Sequence, residues 1–162
     1  MSHVHNTLIR GLNSIYLQGP HVCSPTDIRD FLFFCAAWVK TVEHHHDTEE
    51  KVLFPAIGKL TKKPGLMEGN HQQHEAFTPG LNNLLQSAQN TNPGEYSWNS
   101  LKAIIDGFAP SLMKHLVDEI DTLLDLKTYH SAELMQVWLV TENVAKGAAH
   151  PNQFVSYLRV PS

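Results

Sequence analysis

Apolar side chains recur every three or four residues along five stretches of this chain, and proline–glycine clusters separate the stretches. That period places the apolar residues on one face of an α-helix, whereas strands would show alternation. The first helix is expected over about Ser2 to Gln18, with His5, Leu8, Ile9, Leu12 and Tyr16 on one stripe, closed by Gly19-Pro20. The second should start near Thr26, with Thr26 or Ser24 as cap and Asp27 placed favourably in the first turn. Its stripe reads Phe31, Phe34, Trp38, Val42, His45, Glu49, Val52. Pro55 should end or kink it, because proline has no amide hydrogen and its ring strikes the preceding turn. The third helix is expected from about Leu66 to Ala88, with Asn70, His74, Phe77, Leu81, Leu84, Leu85 and Ala88 on one face and a kink at Thr78-Pro79-Gly80. The fourth runs from about Ser97 to Leu126, presents Leu101, Ile104, Phe108, Leu112, His115, Glu119, Thr122 and Leu126, and should bend at Pro110. A shorter fifth, about Ser131 to Ala145, precedes an irregular tail ending at Ser162. Four amphipathic helices with short connections predict an all-α, up-down-up-down four-helix bundle carrying a short fifth helix.

The 162 residues suit one domain, 1–162, with the bundle core at about 3–127 and a C-terminal extension at about 128–162. The formal charge is −4 and no Lys/Arg run occurs, which argues against nucleic acid or an anionic membrane as the main partner. No apolar run approaches the ~20 residues of a membrane span. The opening Met-Ser-His-Val-His lacks the basic-then-apolar layout of a signal peptide, so a cytoplasmic protein is expected. Cys23 and Cys35 make neither a disulfide scaffold nor a Cys-x-x-Cys pair. Histidine is the outlier: 11 residues beside only 17% charged, which points to metal or proton chemistry.

Four histidines are followed four residues later by glutamate: His45/Glu49, His46/Glu50, His71/Glu75 and His115/Glu119. That spacing stacks an imidazole and a carboxylate on one helix face, within reach of one ion. Measured from His45, Trp38, Phe34 and Glu49 lie within about 40°, so the pair sits in the aromatic stripe, whereas His46 and Glu50 fall near +100° and +140°, on the flank. On the fourth helix His115 and Glu119 lie within about 60° of Ile104, Phe108 and Leu112. On the third, His74 shares the face of Leu81 and Phe77, and His71/Glu75 reads as surface. His5 shares a face with Leu8, Ile9 and Leu12. A lone inward histidine is ordinarily a hydrogen-bonded core residue. Four inward histidines with two inward glutamates are different, because a buried carboxylate without a partner is very costly. His5, His45, Glu49, His74, His115 and Glu119 satisfy one another best by binding two cations. Nitrogen and oxygen donors without thiolate favour iron or manganese, with zinc also suited. Cys35 is too far from His45 to join them. His21, His130 and His150, in or beside connections, read as solvated, and Phe34, Trp38 and Phe108 as core packing.

The carrying motifs are His5-Asn6 with Arg10, His45-His46-Asp47-Thr48-Glu49-Glu50 followed by Leu53-Phe54-Pro55, His74-Glu75-Ala76-Phe77, and His115-Leu116-Val117-Asp118-Glu119. Over about residues 3 to 127 they resemble the hemerythrin-like family, the HHE cation-binding domain, and most of all its fungal members. The resemblance implies a bundle around a non-heme di-iron centre with carboxylate bridges and an oxo or hydroxo bridge, ligated by the six residues just named. The oxygen-carrying hemerythrins have a second histidine where this chain has Asn70, and an aspartate where it has Ile120. Four histidines and two glutamates look more like the iron-sensing and enzyme-like members.

The function expected is that of an oxidoreductase which binds and activates O₂ or peroxide at the centre, with a small organic substrate beside it. The alternative is a non-catalytic oxygen- or iron-binding or sensing protein, and a monomer or weak homodimer is expected. Removal of one histidine is expected to leave open positions on both ions, which favours reduction of O₂ over its release.

Overall fold

A computed structural model describes residues 1–129 and 131–148 of the chain; the expectations for His130, His150 and the tail lie outside the described residues. The elements are α1 (Ser2–Gln18), α2 (Pro25–Thr48), a π-turn (Glu49–Leu53), α3 (Phe54–Thr61), α4 (Glu68–Asn90), α5 (Trp98–Leu124) and α6 (Ser131–Ala148). Short 3₁₀ turns precede α5 (Pro93–Glu95) and follow it (Asp125–Thr128), and no strand occurs among the described residues. The long helices α1, α2, α4 and α5 form the bundle, each packed on two neighbours in the cyclic order α1–α2–α4–α5. Helix α6 lies against α2, α3 and the π-turn.

Local chemistry fixes the helix ends. Ser24 Oγ accepts from the Asp27 amide at 3.1 Å and Pro25 occupies the first turn, so α2 starts slightly earlier than Thr26. Ser97 caps α5 in the same way through Ser100 N–H. Pro55 does not end its helix. The Phe54 amide bonds back five residues to the Glu49 carbonyl, and the wider turn makes room for the proline ring. The helical path then continues as α3 until Lys62, whose φ of 56° is left-handed. The inserted residue also shifts the face: Leu53 is buried and Val52 only half-buried, against the expected stripe. Pro79 and Pro110 lie on exposed faces inside α4 and α5, and neither ends its helix.

The face of α4 is buried as the periodicity requires. On α5, Ile105 takes the buried place expected for Ile104. The larger correction is on α2, where Phe34 is 42% exposed and not core. Apart from Thr48 in the last turn, where the π-turn begins, the buried set is Ile28, Phe31, Leu32, Cys35, Trp38, Val39, Val42 and His46. Centred on Cys35, these span roughly −60° to +60°, which leaves Phe34 near −100° and puts His46 near +20°. Helix α2 packs on α1 at one side and on α4 at the other, so its buried arc is wide. An arc that includes Phe34 is tilted away from His46.

Two glycines let helices close on one another. A Cβ on Gly80 of α4 would lie 2.4 Å from Phe108 Cβ of α5. One on Gly11 would meet Trp38 Cδ1 at 2.4 Å, and Trp38 is pinned there because its Nε1–H donates to Leu8 O at 2.9 Å.

The apolar core falls into two bodies. The larger fills the bundle, from Leu8, Trp38, Val42 and Phe77 to Leu112 and Leu116. The smaller joins Leu53, Phe54, Ile57, Met67 and Leu126 with Met1, Leu123 and side chains of α6. Every bundle helix passes from one body to the other across polar residues: His5 on α1, His45 and His46 on α2 with Glu49 opening the π-turn, Asn70 and His74 on α4, His115 and Glu119 on α5. A polar layer therefore crosses the molecule between two apolar ones.

Candidate metal centre

The layer gathers all six side chains expected from the sequence, and a seventh. Two groups of donor atoms each lie within 4.8 Å of one another: His5, His45, Glu49 and Glu119 in one, and His46, Glu49, His74 and His115 in the other. Glu49 belongs to both, as a carboxylate bridging two ions would. The expected flank position of His46 is wrong: it is 6% exposed, and its ring stands 4.4 Å from that of His74 and 5.0 Å from that of His115, centroid to centroid. The signal for it was the cadence of the apolar residues, had the arc been centred on Cys35. His71 and Glu75 are exposed, as expected.

The imidazoles are held from behind. His5 Nδ1 is 2.8 Å from the Leu116 carbonyl, which can only accept, so Nδ1 carries the proton and Nε2 is left with its lone pair. His74 Nδ1 faces the Glu50 carboxylate at 2.7 Å, with the same consequence. His115 Nδ1 faces Gln73 Oε1 at 3.3 Å, while the Gln73 amide donates to Asp118 at 2.6 Å, which fixes the amide's orientation. The Nε2 atoms of His74 and His115 then confront each other at 3.1 Å, lone pair to lone pair, an arrangement that a cation between them relieves.

The remaining donors tell the same story. His5 Nε2 is 3.1 Å from Glu119 Oε2, and His45 Nε2 is 3.0 Å from Glu49 Oε1. These atoms are close without hydrogen-bond geometry, as atoms converging on a common point would be. Among the described residues, the buried side-chain atoms that lack a hydrogen-bond partner are Nε2 of His5, His45 and His46 and both oxygens of Glu49 and Glu119. Orphaned buried polar atoms are rare in folded proteins and require an explanation. Each of the two donor groups could hold a metal ion, which would satisfy these atoms.

A family model, the Hemerythrin HHE cation binding domain, matches residues 1–126. The chain belongs to the hemerythrin family. It is 49% identical over 142 residues to the "dimeric xanthone biosynthesis cluster protein R11" of Cryptosporiopsis sp. (strain 8999), a match that covers 88% of this chain and 54% of that protein. The chain thus spans about half the length of that relative. No solved structure matches it.

Electrostatics prepare this hemerythrin domain for cations. Burial, and then the neighbouring imidazoles, push His45 down to about 3. His115 is also pushed down to about 3, by burial and then by His74 and His5. Burial lowers His46 strongly, and lowers His74 even though its bond to Glu50 pulls the other way. These four rings are therefore neutral at physiological pH, the form that binds a metal. Glu49 is raised well above the carboxylate range, by burial first and by Glu119 second, so without a cation it is driven to hold a proton. Cys35 is buried against the bundle core and takes no part. No helix among the described residues is long and apolar enough to cross a membrane.

The seventh donor revises one expectation about the hemerythrin centre. Asn70 does remove an imidazole from α4, yet His46 supplies a fifth imidazole from α2. With five imidazoles in the layer, the histidine missing from α4 no longer implies an open position on each of two ions.

Proposed function

We propose that this domain holds two iron ions between α1, α2, α4 and α5 and acts as an oxidoreductase toward O₂ or peroxide, with a small aromatic molecule as the co-substrate. The observation that carries the metal reading is the convergence of five imidazoles and two carboxylates: three Nε2 atoms and all four carboxylate oxygens lack a hydrogen-bond partner, and the Nε2 atoms of His74 and His115 face only each other. The donor set is nitrogen and oxygen without thiolate, which suits iron, with manganese or zinc as competitors. Iron bound there would supply the redox chemistry that O₂ and peroxide require. The chain's own residues do the rest. Leu116 O, Glu50 and Gln73 hold three rings in the tautomer that offers Nε2. Phe54 stacks on His74 with centroids 5.5 Å apart, and Phe77 lies 5.0 Å from His46 and 5.5 Å from His115. These rings keep bulk water from the centre and lower the local dielectric. The aromatic co-substrate rests on the relative, whose name places it in a xanthone biosynthesis cluster.

The fifth imidazole favours a second reading, a protein that binds O₂ and lets it go. The test is anaerobic reduction, exposure to O₂, and removal of O₂ under vacuum, followed in the charge-transfer region. Irreversible oxidation that quickens with an added phenol supports the oxidoreductase. A spectrum that returns to the reduced form through repeated cycles establishes the carrier and defeats it.

A further inference from the structure

The two donor groups carry unequal charge. One holds Glu49 and Glu119; the other holds only the shared Glu49 beside the imidazoles of His46, His74 and His115. A buried cation with so little negative charge around it is poorly compensated. A further carboxylate stands one layer out. Glu50 Oε1 lies 2.7 Å from His74 Nδ1, across the ring from the Nε2 that faces His115. Donation to a carboxylate fixes an imidazole's rotation and raises the basicity of its other nitrogen.

Glu50 reaches this place because of the π-turn that Glu49 and Glu50 open. Adjacent residues of a helix diverge by about 100°, so Glu49 enters the centre while Glu50 crosses to α4. There it also stands 3.7 Å from His71 Nδ1, at the protein surface. The other buttressed rings have uncharged acceptors, the Leu116 carbonyl behind His5 and the Gln73 amide behind His115. Among the described residues, Glu50 is the carboxylate outside the two donor groups that hydrogen-bonds a donor ring.

We propose that Glu50 is a positioning residue for the three-imidazole ion, giving it through His74 the negative charge that Glu119 gives directly to the other ion. This rests on the two-ion reading above. Glu50 should therefore govern one of two metal equivalents and leave the other alone.

The test is anaerobic titration with Co²⁺ against a competing chelator, in wild type, Glu50→Ala, Glu50→Gln and the exposed control Glu75→Gln. Loss of a supporting partner of this kind costs about 10- to 100-fold in metal affinity. Glu50→Ala should weaken one equivalent by that factor and leave the second within about threefold of wild type. Glu50→Gln, which keeps an acceptor but not the charge, should recover part of the loss. Glu75→Gln should match wild type, and metal-free Glu50→Gln, which still accepts from His74, should melt with metal-free wild type. Two unchanged equivalents in Glu50→Ala would overturn the proposal. So would equal weakening of both together with a lower metal-free melting temperature, the mark of a merely structural role. A wild type that takes up no Co²⁺ would overturn the two-ion reading itself, and the wild-type titration separates that failure from the failure of Glu50 alone.

Discussion

Removing the metals should cost this bundle much of its stability, and the structure sets the scale. The free protein leaves Glu49 and Glu119 buried at 1% and 0% exposure, with four orphaned oxygens between them. An ion present at a thousandfold over its dissociation constant stabilises the folded state by about 4 kcal/mol. In a domain of this size each kcal/mol moves the melting temperature by about 2–4 °C, so chelating even one ion should lower it by about 8–16 °C. The perturbation that isolates the cause is Glu49→Gln. It removes the carboxylate shared by both donor groups, so the melt should become indifferent to chelator. It also removes an acid that the metal-free core forces to take up a proton at neutral pH, a cost to folding, and the metal-free variant should be more stable than metal-free wild type by about 1–3 kcal/mol. The assay is thermal unfolding followed by helical circular dichroism, with and without chelator, on both proteins. The reasoning predicts a crossing: wild type is the more stable when loaded, the variant when stripped. A wild-type melt that ignores chelator, together with a metal-free variant less stable than wild type, would falsify it, because Glu49 would then be satisfied by the protein alone.

Three further outcomes follow from the geometry. His46→Ala should bind one ion where wild type binds two, whereas His71→Ala should keep both, as elemental analysis will show. Gly80→Ala should destabilise by about 1–3 kcal/mol in urea titration, because a Cβ there meets Phe108 Cβ, which no side-chain rotation can move away. Cys23 is exposed and should react with a thiol reagent in the native state, while buried Cys35, its thiol pushed up to about 12 by burial, should react only on unfolding. The unfolded Cys35 thiol ionises near 9 and the folded one near 12, so this group lowers stability as pH rises through that window and has no effect below it. Urea titrations of wild type and Cys35→Ala across the window check the sign.

Most of the architecture was legible because each bundle helix buries a stripe that repeats at the helical period. On α4 the stripe from Asn70 to Ala88 is the buried set itself. His5, His74, His115 and Glu119 followed from the same periodicity, since a polar residue on an apolar stripe stands out. What was not legible has two physical causes. The first is the width of a buried arc. A helix touching two neighbours and a capping helix hides more than a narrow stripe, and the single misplaced Phe34 moved His46 from the centre of the arc to its edge. The second is the π-turn. Proline announced a disturbance at Pro55, but sequence does not say whether a helix breaks or absorbs an extra residue. The absorbed residue is what brings Leu53 inward and aims Glu50 at His74.

The polar layer between the two apolar bodies has a consequence for how the molecule opens. Oil on either side of a polar sheet does not cohere across it, so the cap made by α3, α6 and the adjoining ends of the bundle helices is joined to the bundle through helix backbones, through the packing of α6 on α2 and through whatever fills the sheet. The centre then acts as a rivet between two cooperative units that would otherwise exchange their amide protons independently. With the rivet drawn, the amides of α3 and α6 should exchange fast while those around Leu81, Leu84 and Leu112 stay protected. A metallocentre placed in this layer reports its own occupancy in the looseness of one end of the protein.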